Sequence, residues 1–598
     1  MVPFRKLASL FTGKERPRAV LLLVLIFVGA GLETIGVGLV MPFIALVSDP
    51  EFISSNSVVA ALHEALGSPG YNRFVIGCGV LLLVYYLLKN AYLGFLCFWQ
   101  NLFIYGKMRE MARQLFRAYL LAPYRFHLSK NTAVLQRNIN TDVPQMFNWV
   151  VTHSFILVGD AFVVLVMTLL LLLVDPIASV AAVVLFALAA WLYLRFSRGR
   201  THRLGLEEQG QFGEMIKWVN QGLGGIKETK VLGIEPYFLD NYSKGAIRYT
   251  RARRIIQTLN EVPRLFFETI AIGGMLIVIV AILAQGREIG SIIPTLALFA
   301  AAAFRLMPAM SRIARSANLI KHFRPSFDVV HRDLDLLRQA PEISEAKEPA
   351  GEAFPFADRI EIEGLTFRYS PAGEPVLEDV SLSIEKEQSV AFVGRSGAGK
   401  TTIVDILLGL FPPDAGHVRV DGRDIREDLA AWRRSFGYIP QAIYLTDDTI
   451  RRNVAFGIPD ERIDDEAVWS ALGSARLDEF VRDLPEGLDT SVGETGVRLS
   501  GGQRQRIGIA RALYHDPAIL VLDEATSALD HETEKEVNET VRGVMSGKTV
   551  IVIAHRLSTV SHCDVVFFLK DGRVEDKGRL ADLAERSGDF QRMAGLSG

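Results

Sequence analysis

The residues best equipped for chemistry are the run Gly394-Arg395-Ser396-Gly397-Ala398-Gly399-Lys400-Thr401. It follows an apolar strand, SVAFV, and leads into an apolar helix from Thr402 to Leu410. Glycines let the backbone curl until its N–H groups face one point, and the helix N-terminus behind them adds partial positive charge. That is a cradle for phosphates, with Lys400 reaching the β/γ-phosphates of a nucleotide and Thr401 ligating Mg²⁺. A second strand, Ile519–Leu522, ends in Asp523-Glu524. Asp523 there can hold Mg²⁺, and Glu524 beside it can polarise an attacking water.

Between these motifs stands Leu499-Ser500-Gly501-Gly502-Gln503, which resembles the signature of ATP-binding-cassette proteins. The rest of that family's pattern follows in order over residues 358–590. Tyr369 matches the aromatic that stacks on adenine, and Gln441, in YIPQ, matches the Q-loop glutamine. Ser527-Ala528-Leu529-Asp530 matches the D-loop, and His555, in IAHR, matches the switch histidine on the γ-phosphate. The resemblance implies ATP and Mg²⁺ as cofactors. It implies that Tyr369, Gly394, Arg395, Ser396, Gly397, Ala398, Gly399, Lys400, Thr401 and Thr402 bind the nucleotide. Thr401, Gln441 and Asp523 then surround Mg²⁺, and Glu524, His555 and Gln441 are the catalytic set. It also implies that ATP on one chain is covered by Ser500, Gly501, Gly502 and Gln503 of a second copy, giving a C2 homodimer.

Elements of two kinds must carry these residues. The chain has 598 residues, 49% of them hydrophobic, more than one core accommodates. The apolar excess is concentrated in residues 19–320, with six runs of bilayer-spanning length at 19–47, 73–104, 143–174, 177–197, 262–284 and 292–318. The first run is too long for a signal-peptide core. Lys and Arg crowd the connections after the second and fourth runs and the segment before the first, while the outer loops hold only Arg73 and Arg287. The positive-inside rule therefore puts both termini in the cytoplasm. Three scattered cysteines argue against a disulfide framework or zinc site. The expected fold is an all-α, six-helix transmembrane domain (type I exporter-like) over 1–339, a linker over 340–357, and an α/β cassette domain over 358–598. Six spans exclude a soluble cassette ATPase acting on nucleic acid. The implied location is a bacterial inner membrane.

Two cytoplasmic inserts, Pro123–Lys130 and Ile234–Lys244, carry aromatics suited to docking on another domain. In an outer loop, residues 53–66 place Val58, Val59, Leu62 and Leu66 on one helical face behind Ser55, Asn56 or Ser57 as N-cap. That face suits the outer headgroup region or packing on the domain.

Charges at membrane depth form one layer: Glu33, Lys89, Arg264, Glu268 and Arg305 lie about 20–30 Å from the outer ends of their helices at 1.5 Å per residue. Such residues face a cavity or a partner. The cations suit an anionic headgroup; the alternative is internal pairing of Arg264 with Glu268 and of Glu33 with Lys89 or Arg305. Arg312 and Arg315 are expected to snorkel. The stretches KETKVLG (227–233) and VPRLFFE (262–268) resemble lipid-linked oligosaccharide flippases of bacterial protein glycosylation. That resemblance implies an amphipathic outer helix and a homodimer that moves a lipid-(pyro)phosphate-linked glycan from inner to outer leaflet by alternating access. It places Lys89, Arg264 and Arg305 on the anionic lipid. The alternatives are a general lipid or multidrug exporter and, in another class, a nucleotide-gated channel or regulator.

Overall fold

Between Arg18 and Glu33 the chain carries no charge, and Pro17 sits in the first turn, where its missing N–H is no loss. This stretch forms helix α1 (Arg16–Gly38), which is interrupted at Leu39 and resumes as α2 (Val40–Ser48). The computed structural model describes the chain outside residues 1–10, 12, 14, 175, 285–292, 339–352, 371, 494–495, 524–538, 544, 546, 555–559 and 595–598.

Helix α3 (Ser57–Ala65) is the predicted outer helix. Of the three candidate caps, Asn56 serves: its side-chain oxygen accepts from the N–H groups of Val58 (3.0 Å) and Val59 (3.2 Å). Val58, Leu62 and Leu66 are exposed.

Helix α4 (Tyr71–Leu120) has 50 residues, or about 75 Å of length, more than twice the bilayer core. It packs on α1 through small residues and tyrosines. A Cβ on Gly29 would come within 3.1 Å of Leu93, and one on Gly36 within 3.2 Å of Tyr85. Tyr92 donates to the Leu25 carbonyl (2.9 Å), Tyr86 to Gly36 (3.1 Å) and Tyr85 to Leu32. Hydroxyls satisfied this way are tolerated where no water is available.

After the short helix α5 (Tyr124–Ser129), the chain enters the third apolar run through two π-helical turns, Asn138–Asp142 and Met146–Val151, and continues as α6 (Thr152–Val174). Then come α7 (Pro176–Gly224), α8 (Glu235–Ala284), α9 (Ile293–His322) and α10 (Arg324–Arg338). Among the described residues, Arg16–Ser48, Tyr71–Leu120 and Thr132–Leu173 are long and apolar enough to cross a membrane. The other three predicted runs fall on α7, α8 and α9.

The second cytoplasmic insert corrects the sequence expectation. The separate helix is Ile226–Leu232, and residues 235–244 are already the first turns of α8. Gly233, at φ 64°, ends the short helix in the left-handed conformation, and Pro236 opens the next one.

The chain divides into two compact units, Met1–Ala122 with Lys130–Ser344, and Pro123–Ser129 with Glu345–Gly598. The predicted linker at 340–357 falls outside the described residues as far as residue 352; beyond it, Phe354 is buried against the Trp432 ring at 5.9 Å.

The second unit is built on two sheets. Strands β1 (Arg359–Phe367), β2 (Leu377–Glu385), β4 (Ala415–Val420) and β5 (Arg423–Asp424) form an antiparallel sheet in the order β2-β1-β4-β5. The other sheet runs β10-β9-β3-β8-β7-β6, from β3 (Ser389–Gly394), β6 (Phe436–Ile439), β7 (Ile519–Asp523), β8 (Thr549–Ile553), β9 (Val565–Lys570) and β10 (Arg573–Gly578). Strands β3, β6, β7, β8 and β9 are parallel and almost wholly apolar, as a sheet covered on both faces requires.

Candidate functional site

Strand register places the phosphate loop and the acidic strand end together. Phe392 on β3 and Asp523 on β7 both pair with Ile553 of the intervening β8. Two strand spacings of about 4.8 Å put Asp523 roughly 10 Å from the start of the loop, at the carboxyl edge of the parallel strands. Ligands bind in that crevice in open α/β sheets.

The loop residues 394–399 run from β3 into helix α11 (Lys400–Leu407). Gly397 and Gly399 hold φ of 84° and 97°, and a Cβ on Gly399 would meet Leu377 at 2.6 Å. Both positions therefore need glycine. Gly399 is the N-cap of α11 and supplies no side-chain cap, so the first N–H groups stay directed at the loop. Lys400 is buried, its Nζ donating to the carbonyls of Gly394 (2.9 Å) and Arg395 (3.2 Å). Its ammonium thus lies inside the curl of the loop.

Tyr369 shares a hydrogen bond with Thr402 Oγ1 (3.0 Å), which ties the ring to α11. Phe367 and Phe411 pack edgewise on it at 5.1 and 5.6 Å, and 41% of the residue remains exposed. That leaves ring surface for a base. The segment Tyr124–Ser129 abuts the same feature: Arg125 Nε donates to the Tyr369 carbonyl (2.9 Å), its Nη2 to that of Arg368 (3.0 Å), and Tyr124 packs on Phe411 at 5.5 Å. Sequence reasoning expected this segment to dock but did not single out Arg125.

The residues near Asp523 suit a divalent cation. Tyr438 donates to Asp523 Oδ2 (3.2 Å), and burial with this carboxylate raises the Tyr438 pKa above its ordinary value. Asp405 on α11 is pushed up to about 6 by burial, with the Asp523 charge adding to the rise. Two carboxyl groups that resist joint ionisation are relieved by a dication between or beside them. Thr401 is exposed at the start of α11, and Gln441 is exposed just beyond β6. A hydroxyl, one carboxylate and an amide oxygen are a set from which Mg²⁺ completes its octahedron with water and phosphate oxygens. Glu524, Ser527–Asp530 and His555 lie outside the described residues.

The signature segment opens helix α12 (Gly501–Leu513) in a capping box. Ser500 Oγ accepts from the Gln503 N–H (3.2 Å), and Gln503 Oε1 accepts from the Ser500 N–H (2.8 Å). Because the Ser500 hydroxyl accepts there, its own proton is left to donate outward, beside the N–H groups of Gly501 and Gly502. Such a helix N-terminus suits an anion.

Residues 377–527 match the family model described as ABC transporter, and residues 54–306 match the ABC transporter transmembrane region. The chain belongs to the ABC transporter family. A curated relative from Cupriavidus metallidurans, named ATP-dependent lipid A-core flippase, is 33% identical over 491 residues, 81% of this chain and 80% of that one. A relative of the same name from Alkalilimnicola ehrlichii is 31% identical, covering 81% of each chain. The structure of a bacterial Atm1-family ABC exporter with ATP bound superposes with a TM-score of 0.75 at 25% identity, over 97% of this chain and 98% of that one. The transporter is accordingly an exporter of the half-transporter kind, one helical domain fused to one ATP-binding ATPase domain.

Its membrane charge layer is only partly free. Arg305 on α9 is ion-paired with Glu33 on α1. Lys89 lies 4.2 Å over the ring of Tyr86, a cation–π contact within α4. Arg264 is exposed, and among the described residues neither it nor Glu268 makes an ion pair. Arg312 does not merely snorkel: it grips the buried Asp160 of α6 through Nε (2.8 Å) and Nη2 (2.5 Å). Sequence reasoning missed Asp160 because nothing local marks it.

One result follows for the base-binding face. Tyr369→Ala is expected to weaken ATP binding by about 1–3 kcal/mol, the value of one base–aromatic stack. The check is equilibrium binding of ATP and of triphosphate alone to the purified exporter. Triphosphate affinity is expected to stay constant; equal losses for both would remove Tyr369 from the base site.

Proposed function

We propose that two copies of this exporter form a C2 dimer in a bacterial inner membrane, with the ATPase domains cytoplasmic. The dimer moves a lipid bearing a (pyro)phosphate-linked saccharide from the inner to the outer leaflet. The observation that carries this reading is the unpaired, exposed Arg264 in the same helix layer as Lys89 and Arg305. An anionic headgroup gives those cations a partner that hydrocarbon cannot. The relatives named as lipid A-core flippases support a lipid cargo.

In this reading the loop residues 394–402 with Tyr369 hold ATP, and Thr401, Gln441 and Asp523 hold Mg²⁺, which neutralises charge on the transferring phosphoryl group. Glu524 orients and deprotonates the attacking water, and His555 contacts the γ-phosphate. ATP drives the inward-to-outward change because the closed dimer, with Ser500 to Gln503 of the partner over the phosphates, binds it better. A second reading, a general lipid or multidrug exporter, is favoured by the Arg305–Glu33 pair, which reduces the net charge of the layer.

Flipping in proteoliposomes tests the two. The Arg264→Ala/Arg305→Ala/Glu33→Gln variant is expected to lose translocation of a polyprenyl-pyrophosphate oligosaccharide while keeping basal ATPase. Including Glu33→Gln prevents a stranded carboxylate from confusing the result. Undiminished flipping would make the cations structural.

A further inference from the structure

A cavity of about 210 Å³ opens in the first unit between α7, α8 and α9. Its wall includes Glu208 of α7, Arg253, Gln257 and Asn260 of α8, and Arg315 of α9. The three α8 residues are spaced by four and three, so they share one helix face. The volume equals roughly seven waters at about 30 Å³ each, enough for one sugar ring.

The wall carries unmet hydrogen-bonding demand. Glu208 and Asn260 are each 7% exposed. Glu208 Oε1 accepts from Arg253 Nη1 (2.7 Å), and Oε2 lies 3.1 Å from His322 Nε2, leaving a further lone pair of this carboxylate toward the cavity. Asn260 Oδ1 has no partner, although its backbone carbonyl accepts from Arg315 Nε (3.2 Å). A buried acceptor left unmet costs about 1–3 kcal/mol. The wall is also balanced in charge, with Arg253 and Arg315 against Glu208 and Glu261.

These features select a chemistry. A phosphodiester, which is fully ionised at neutral pH, has no proton to give Asn260 or Glu208. An ammonium has no lone pair to give the guanidiniums. A hydroxyl does both, and neighbouring hydroxyls on a ring do so at matched spacing. We infer that this cavity is a saccharide subsite, in which sugar hydroxyls donate to Asn260 Oδ1 and Glu208 Oε2 and accept from Arg253 and Arg315. This rests on the proposed glycolipid cargo. Along α8, Asn260 and Arg253 lie about 6 and 16 Å from Arg264 on the helix's N-terminal side, where sugars extending from a phosphate at Arg264 would reach.

Saturation-transfer NMR on the full-length exporter in nanodiscs tests the inference. The probes are methyl β-D-glucopyranoside and a short-chain polyprenyl-phosphate glucoside. Saturable binding of both is expected, weakened at least tenfold by Asn260→Leu and by Gln257→Leu and unchanged by Arg264→Ala for the free sugar. Tighter binding of the glucoside lipid identifies a lipid headgroup as the natural source; equal binding identifies a soluble saccharide. Both uphold the subsite. No saturable binding of either probe to the wild type overturns it, as does displacement of the free sugar by dimethyl phosphate or methylammonium. The displacement arm needs no variant to fold. Because binding is read without translocation, intact sugar binding with failed flipping refutes only the transport reading, and the reverse refutes only the subsite.

Discussion

Glu524→Gln is expected to reduce ATP turnover by about 10²–10⁴-fold, the usual share of a positioned general base. ATP binding should survive. The glutamine keeps the size and one acceptor of the carboxylate but takes no proton at neutral pH. The groups proposed to hold the nucleotide are elsewhere: the glycine loop with its φ of 84° and 97°, the buried Lys400, and Tyr369 fixed through Thr402. Separating the base from the cradle predicts a specific phenotype, a dimer that closes on ATP and stays closed. Phosphate release and nucleotide retained through rapid desalting measure the two halves. Loss of both activities would place Glu524 in the binding site, and near-normal release would assign the base to another residue.

The cradle was legible in the sequence because each of its steps is a local backbone requirement. A left-handed turn needs Gly397 and Gly399, a strand must lead in, and an uncapped helix must lead out. The capping box at Ser500 is equally local, three residues from donor to acceptor. The break at Gly233 was legible too, but the aromatics of 234–244 drew the insert one helix too far along, past the stronger signals of Gly233 and Pro236. The membrane charges were legible as a layer, with Glu33 and Arg305 among the possible pairs but not singled out. Whether Arg305 meets Glu33, 272 residues away, or Arg312 meets Asp160, 152 away, depends on how each helix is rotated about its axis. Apolar runs without a clear periodicity do not encode that rotation. The contact of Arg125 with the Tyr369 carbonyl is invisible for a related reason, since a backbone acceptor leaves no residue type to read.

The largest reversal is expected from mixing two inactive chains. Lys400→Ala removes the ammonium inside the loop, and Ser500→Arg fills the mouth of the signature helix. Each homodimer should hydrolyse ATP at under about 1% of the wild-type rate, since each carries its defect in both sites. In a mixed dimer the defects segregate. If the signature of one chain covers the loop of the other, one site receives both lesions and the second receives neither. Random assembly makes about half of the dimers mixed, each with one intact site of two, so ATPase should return to about a quarter of the wild-type rate. If instead each chain's signature served its own loop, every site in the mixture would carry one lesion and no activity would return. The proposed dimer expects the first outcome, and the chemistry at Ser500 is compatible with it. Its hydroxyl already accepts from Gln503, so what it offers a phosphate is a proton, and the N–H groups of Gly501 and Gly502 beside it are donors as well. Lys400 and the α11 N-terminus are donors of the same kind. Two donor surfaces have nothing to offer one another until a triphosphate lies between them; in the proposed dimer the nucleotide would therefore be the adhesive and its hydrolysis the means of release.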